Sequence, residues 1–387
     1  MKRICIIVQN YYDIDPRVRR EAEALIEHGY CVDVLALQPP NKAENRYSLN
    51  KVHVNTIKLG KKRAGKLRYI WEYIAFWFMA FLYLARNHHY DLIQVCTLPD
   101  CLIFATLIPK LIGCKVILDM HEVMPEFFMS KYHVPENHFM IRVLKWQERL
   151  SIKFADHVIV INEPIKKLLE TRGLPTQKAT VITNSVDEQL FTPFKNEHQK
   201  SDTFVFMYHG TLTHIYGLDI ALQAFSVAGA QMPNAEFHIV GEGPERTNLE
   251  LQVEKSNIKE KVKFLGVYPQ ENIPAQLTQC DVGVLATRRD TFLDLSFSNK
   301  LPEYIVMEKP VIASRLKAIR HYFSEEAIAY FEPENATDLA EKMVELYNNP
   351  EKRKEYSENA LREYANIRWD RMKQLYLAVI DRLITSK

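Results

Sequence analysis

The chain has no closely spaced pair of cysteines, no internal repeat, no low-complexity tract, no charge bias and no uninterrupted apolar run of membrane-spanning length. Each absence removes a class of protein. The six cysteines, Cys5, Cys31, Cys96, Cys101, Cys114 and Cys280, are scattered through apolar, strand-like contexts. That arrangement excludes Cys-x-x-Cys metal and redox motifs and reads as a set of reduced core residues. With 50 Lys and Arg against 48 Asp and Glu, the formal charge is +2. No global field draws a nucleic acid, and none is expected as a partner. The most apolar stretch, residues 67–85, carries Arg68 and Glu72, so it falls short of the roughly 20 uncharged apolar residues that a spanning helix needs. Met1-Lys2-Arg3 runs into a short apolar segment at 4–8 and then polar Gln9-Asn10. This is no secretory leader, and a cytoplasmic protein is expected.

What is present is ample material for two cores. Hydrophobic residues make up 47% of the 387 and charged ones 25%, as in folded globular chains, and the length suits two α/β domains better than one. Strand-length apolar runs at 4–8, 31–37, 91–95, 115–120 and 157–161 alternate with helical patterns, which predicts βαβ units and a doubly wound parallel sheet. A polar stretch at 193–202 reads as a linker, after which a second series begins, with runs at 203–210, 235–241, 261–266, 280–286, 310–314 and 327–332. The expected organisation is an N-terminal Rossmann-like domain over 1–192, a second over 193–367, and a C-terminal helix over 368–387 that packs back on the first. Open parallel sheets bind ligands beyond the carboxyl ends of their strands, so a cleft between two such domains is the natural site.

The most informative segment is SFSNKLPEYIVMEKPVIAS, residues 296–314, a short helix followed directly by a strand. Ser298 or Asn299 can cap this helix, and Pro302 is tolerated in its first turn. Free amides there attract phosphate, and Lys300 in the same turn can neutralise a diphosphate. Glu303, one turn on, can accept hydrogen bonds from both hydroxyls of a ribose. Standing alone, the segment reads equally well as a surface helix with solvated charges.

This segment resembles the signature region of the family 4 retaining glycosyltransferases of the GT-B fold, and the similarity runs along nearly the whole chain in the family's order. Residues 14–37 look like its first helix and second strand, and DMHE (119–122) like the loop that carries its active-site histidine. FMYHGTL (206–212), GLDIALQAF (217–225), FHIVGEGPE (237–245), VKFLGVYP (262–269) and CDVGVLA (280–286) follow. The resemblance implies two Rossmann-like domains facing a deep cleft, with a nucleoside diphosphate sugar as donor and no cofactor or metal. It places Glu303 on the nucleotide ribose, Lys300 and the amides near Leu301 on the diphosphate, and His121 against the donor sugar. Gly241 and Gly243 would let the backbone approach the donor, Val267, Tyr268 and Pro269 would flank the base, and Gly210, Thr211, Ser298 and Asn299 would complete the donor contacts. On its own GEGPE is weak, because it lacks the third glycine of the dinucleotide fingerprint.

Two positions depart from the family pattern. Leu295 stands where the first of two glutamates belongs, with Asp290 and Asp294 as acidic neighbours. The usual Arg and Lys after the first strand of the second domain are missing, with Thr211 and Tyr216 near those places. Arg288 and Arg289 can supply the charge or can be solvated loop residues. His121 admits a structural reading beside the functional one, in which it donates a hydrogen bond to the donor. Asp13 and Asp15 form an Asp-x-Asp pair that is read as structural rather than metal-binding. Asp15 and Arg17, with Glu122, are expected on the acceptor side.

The expected reaction is sugar transfer to a hydroxyl acceptor, glycan or lipid-linked, with retention at the anomeric carbon. An epimerase of related fold and a non-catalytic sugar-nucleotide-binding subunit are the alternatives. The basic run at 58–68 before the apolar one at 67–85 admits two readings, a helix packed on the sheet or one lying on an anionic bilayer. Arg142, Lys145, Arg149 and Lys153, at helical spacing, offer a second basic face.

Overall fold

The computed structural model describes the chain except residues 41, 43, 61–65, 88, 189, 194–201 and 386–387, together with the side chains of 66, 67, 69 and 70. Much of the basic run at 58–68 and of the polar stretch at 193–202 therefore lies outside the described residues. The chain divides into two units, Met1–Thr183 with Asp370–Lys387, and Asn184–Trp369. The division falls at 183/184 rather than 192/193, because Val186 and Phe191 are already buried in the core of the second unit.

The described residues of the first unit form the strands β1 (Arg3–Ile7), β2 (Cys31–Leu37), β3 (Arg46–Leu49), β4 (Val52–Ile57), β5 (Leu92–Cys96), β6 (Lys115–Met120), β7 (His157–Val160) and β8 (Ala179–Val181). Their order across the sheet is β3-β4-β2-β1-β5-β6-β7-β8. All neighbours are parallel except β3 and β4. This hairpin was not visible in the apolar pattern, since β3 is half exposed. Its two-residue turn, Asn50-Lys51, has both φ angles positive, 51° and 66°, the left-handed turn that matches strand twist.

The second unit carries β9 (Phe204–His209), β10 (Ala235–Val240), β11 (Val262–Gly266), β12 (Val282–Leu285), β13 (Val311–Ser314) and β14 (Ala329–Phe331), in the order β11-β10-β9-β12-β13-β14 and all parallel. Both units are doubly wound α/β layers. Near-continuous apolar runs make the central strands because helices cover both faces. Phe206, Phe225, Phe237, Tyr304 and Phe331 fill the second core.

The last helix, Trp369–Thr385, buries Met372, Tyr376, Val379, Ile380 and Leu383, a stripe of helical period. Tyr376 donates to Gln94 Oε1 at 2.6 Å, and Asp381 accepts from Tyr30 at 2.5 Å, so from Asp370 on the helix belongs to the first unit.

One buried ion cluster fastens the helices of the first unit. Arg172 bridges Glu126, on helix Met124–Tyr132, and Glu148, on helix Phe139–Phe154, with 3.2 Å to Glu148. Removing one member of a buried ion pair strands the other charge. Arg172→Met is therefore expected to destabilise the first unit by about 3–5 kcal/mol, read as an earlier urea transition. An unshifted transition would show the cluster to be dispensable.

Candidate functional site

In the second unit the signature residues meet at the carboxyl edge of the sheet. β9 ends on His209, whose Nε2 lies 2.5 Å from Oε2 of Glu303 on helix Lys300–Val306. His209 is buried, its ring is edge-on to Tyr304 with centroids 4.8 Å apart, and its buried Nδ1 has no hydrogen-bond partner among the described residues. Glu303 is therefore held from the sheet side through Oε2, and its Oε1 has no hydrogen-bond partner among the described residues. His209 is the residue that sequence reasoning missed. It stood inside the quoted FMYHGTL segment, but nothing in the spacing links it to a glutamate 94 residues away.

Lys300 lies across Gly210. A Cβ built on Gly210 would come within 2.2 Å of Lys300 Cε, so only glycine lets the lysine chain pass here. The ammonium sits 3.9 Å from the centroid of the Tyr216 ring and 5.6 Å from that of Tyr208, and makes no hydrogen bond or ion pair among the described residues. Burial pushes it down to about 8, against the opposing pull of Glu303. Tyr216, near the place of the missing basic pair, thus serves Lys300 as a cation–π platform.

The glycines of the GEGPE loop have a reason of their own. A Cβ on Gly241 would lie 1.9 Å from Gly210 O, and one on Gly243 would lie 2.3 Å from Leu212 O. The loops after β9 and β10 nest backbone to backbone, tied by Leu212 N–H to Glu242 O at 3.0 Å and Gly210 N–H to Val240 O at 2.8 Å. These glycines let protein approach protein, whatever ligand lies above.

Other expected donor contacts are differently employed. Ser298 caps the helix, accepting from Lys300 N–H through its hydroxyl and from Leu301 N–H through its carbonyl, both at 3.3 Å. Asn299 makes no side-chain cap, and the amides at Lys300 and Leu301 are engaged. Arg288 is bound by Asp219 at 2.5 Å and Glu334 at 2.6 Å, so it does not supply the missing charge. Arg289 donates to Arg315 O and lies 3.8 Å from Asp294 and 3.6 Å from Glu332. Asp294 accepts from Lys317 N–H, and Asp290 folds a turn by accepting from Phe292 and Leu293. Neither replaces the glutamate absent at Leu295, which is buried. Thr211 is exposed, and its carbonyl accepts from Tyr208. Val267, Tyr268 and Pro269 follow edge strand β11, with Val267 exposed.

The first unit presents a cavity of about 330 Å³, lined by Asn10, Asp15, Glu72, Tyr73, His121 and Glu122 among others. His121 follows β6, and its Nε2 is 3.0 Å from Asp119 Oδ2. Asp119 is wholly buried and also receives Arg17 at 3.1 Å and Gln94 at 2.9 Å. Burial would raise its carboxyl, but Arg17 and His121 outweigh it and hold it well below the usual range. Burial alone would lower His121, and the Asp119 carboxylate overrules it and raises the imidazole above its ordinary value. An ionised Asp119 only accepts, which puts a proton on Nε2 and leaves Nδ1 as the ring nitrogen for a ligand. Burial likewise raises Glu122.

Arg17 is not on a binding surface. It is buried, bonded to Asp119, Glu21 and the Ile182 carbonyl, because a helix's first turn faces the sheet here. Asp15 lines the cavity but caps that helix, accepting from Val18 N–H at 3.2 Å. Asp13 is taken by Tyr47 and Lys42, so the Asp-x-Asp pair does not converge. Cys96, Asp119 and His121 offer three ligand atoms within 4.8 Å of one another. The Asp119 carboxylate of this group is already occupied by the Arg17 guanidinium and by Gln94 and His121.

Two doubly wound units with a charged constellation at the carboxyl edge of their sheets define a GT-B protein. The chain belongs to glycosyltransferase family 4: the model described as Glycosyltransferase Family 4 matches residues 17–190, and that described as Glycosyl transferases group 1 matches residues 191–363. The alpha-D-kanosaminyltransferase of Streptomyces kanamyceticus is 19% identical over 56% of this chain and 58% of its own length, so the match spans a little over half of that relative. Among solved structures, sucrose-phosphate synthase from Thermosynechococcus elongatus superposes with a TM-score of 0.79 at 17% identity, covering 100% of both chains. Anabaena HepE in complex with UDP gives a TM-score of 0.74 at 15% identity, covering 99% of this chain and 100% of that one.

The Lys300 environment makes a direct prediction. The carbon-13 Cε resonance of Lys300 in lysine-labelled protein is expected to titrate with a midpoint near 8, as the only lysine signal lost in Lys300→Arg. A midpoint in the ordinary range above 10 would contradict the burial argument.

Proposed function

We propose that this protein is a retaining glycosyltransferase that moves a sugar from a nucleoside diphosphate sugar to a hydroxyl acceptor. The observation that carries this reading is the His209–Glu303–Lys300 constellation: a carboxylate fixed by a buried imidazole at 2.5 Å beside an ammonium without an ionic partner among the described residues. Glu303 Oε1 suits the paired hydroxyls of a ribose. Lys300 suits the diphosphate, whose negative charge grows as it leaves, so the interaction strengthens in the transition state. The complex of HepE with UDP supports a nucleoside diphosphate as ligand class.

The acceptor belongs in the cavity of the first unit. There His121, held by Asp119 through Nε2, presents Nδ1 to the bound molecule, and Glu122 and Glu72 accept from hydroxyls. In a same-face displacement the donor's own phosphate takes the acceptor proton, which makes a protein base unnecessary. A lipid-linked or glycan acceptor used in envelope assembly fits this reading.

Calorimetric titration with UDP, GDP and ADP, without added metal, tests the donor site. One of the three is expected to bind, and Glu303→Ala to weaken it by about 1–3 kcal/mol. Affinity is expected to fall as pH rises through about 8, where Lys300 loses its charge, and this dependence should vanish in Lys300→Ala. If none of the three binds, the donor reading fails.

A further inference from the structure

We infer that the first unit carries a second binding site, for a sugar bearing a negative charge, in a cavity that the proposed reaction does not use. This cavity, of about 430 Å³, is lined by the β3–β4 hairpin, by Arg3 of β1 and Asp33 of β2, and by Tyr83 near the end of helix Lys66–Arg86. It shares no lining residue with the His121 cavity. The same helix walls both, through Glu72 and Tyr73 at one and Tyr83 at the other, so Tyr73 and Tyr83 stand about 15 Å apart along its axis. The floor is rigid. Asp33 is buried and accepts from Nη2 of Arg3 and from the Tyr90 hydroxyl, both at 2.8 Å, and the Tyr90 oxygen lies 3.2 Å from that of Tyr83. The Arg3 guanidinium is thus held in place, while its Nε and Nη1 have no partner among the described residues.

The hairpin supplies the polar wall. Its register pairs Arg46 with Asn55 and Ser48 with His53, which sets these four side chains on one face, opposite the buried Val52 and Val54. Neither Arg46 nor Asn55 makes a hydrogen bond or ion pair from its side chain among the described residues. His53 spends Nδ1 on the Ser48 hydroxyl at 3.2 Å and keeps Nε2. Burial pushes the Tyr83 hydroxyl up to about 12 and Arg46 opposes the rise, so the charge of Arg46 is felt on the helix side of the cavity. The one carboxylate among the described lining residues, Asp33, is already taken. Two guanidiniums therefore face the cavity without a free acid to neutralise them, and their planar forks suit a phosphate or a carboxylate. The amide of Asn55 and the imidazole of His53 suit ring hydroxyls. The volume falls in the range of small-molecule sites and exceeds what a bare oxyanion fills. A phosphate ester and a sugar acid present the same chemistry to these groups. The site stands whether or not the proposed reaction does.

Calorimetric titration of the full chain with glucose 6-phosphate, glucuronate, glucose and inorganic phosphate in turn tests the site, and needs neither nucleotide nor turnover. At least one of the two acidic sugars is expected to bind, about tenfold or more tighter than glucose or inorganic phosphate, and which one binds tells a phosphate ester from a carboxylate. Arg46→Ser should weaken that binding by about tenfold and Asn55→Ala by about fivefold. Both variants should keep the wild-type thermal transition, since neither side chain has a partner to lose. Lys300→Ala, in the second unit, should leave the affinity as it is, which separates failure here from failure of the nucleotide reading. The inference is overturned if neither acidic sugar binds, if inorganic phosphate binds as tightly as they do, or if Arg46→Ser binds as wild type does. Loss of binding in Lys300→Ala would equally overturn it, by assigning the sugar to the other unit.

Discussion

The first unit is organised around one buried carboxylate. Asp119 sits at the end of β6 with no solvent contact and receives four side chains: Arg17 from the first helix, Gln94 and Cys96 from β5 and His121 from the loop beyond. Gln94 passes the network to Tyr376 of the last helix and to Glu21, which burial, reinforced by Asp119, raises to about 7. A charge buried this deeply is tolerable only when fully compensated. The compensation ties four elements together, and it turns Nε2 of His121 to Asp119, with Nδ1 left toward the cavity.

A comparable economy governs the second unit, with backbone in place of charge. The loops after β9 and β10 approach so closely that only glycine fits at Gly241 and Gly243, and the same close approach at Gly210 makes the path along which Lys300 runs. Lys300 ends over Tyr216, with no carboxylate paired to it among the described residues, while Glu303 is turned aside by His209. Two opposite charges three residues apart are thus prevented from neutralising each other, which keeps both available to a ligand.

The parallel strands were legible because burial on both faces writes them as continuous apolar runs. Those at 31–37 and 115–120 coincide with β2 and β6 to the residue. β3, β4 and β8 were not, since a half-exposed hairpin and a three-residue strand leave too little pattern to read. Lys300 and Glu303 could be picked out because they share one helical turn. His209 could not, because its partner comes from a distant crossover. Arg17, Arg288 and Asp294 read as site residues, yet they are committed to structural partners that only folding supplies.

The sequence by itself determined the two α/β halves, the family and the helix that bears Lys300 and Glu303, since these depend on local periodicity and on motifs within a few residues. The tertiary structure alone decided which charges are spent and which remain free. A guanidinium looks the same in the sequence whether it meets a carboxylate or water, and its partner is chosen by strand order. The same holds for helix Phe139–Phe154: helical spacing set its period, but only packing showed that Ile141, Leu144 and Ile152 are its buried side.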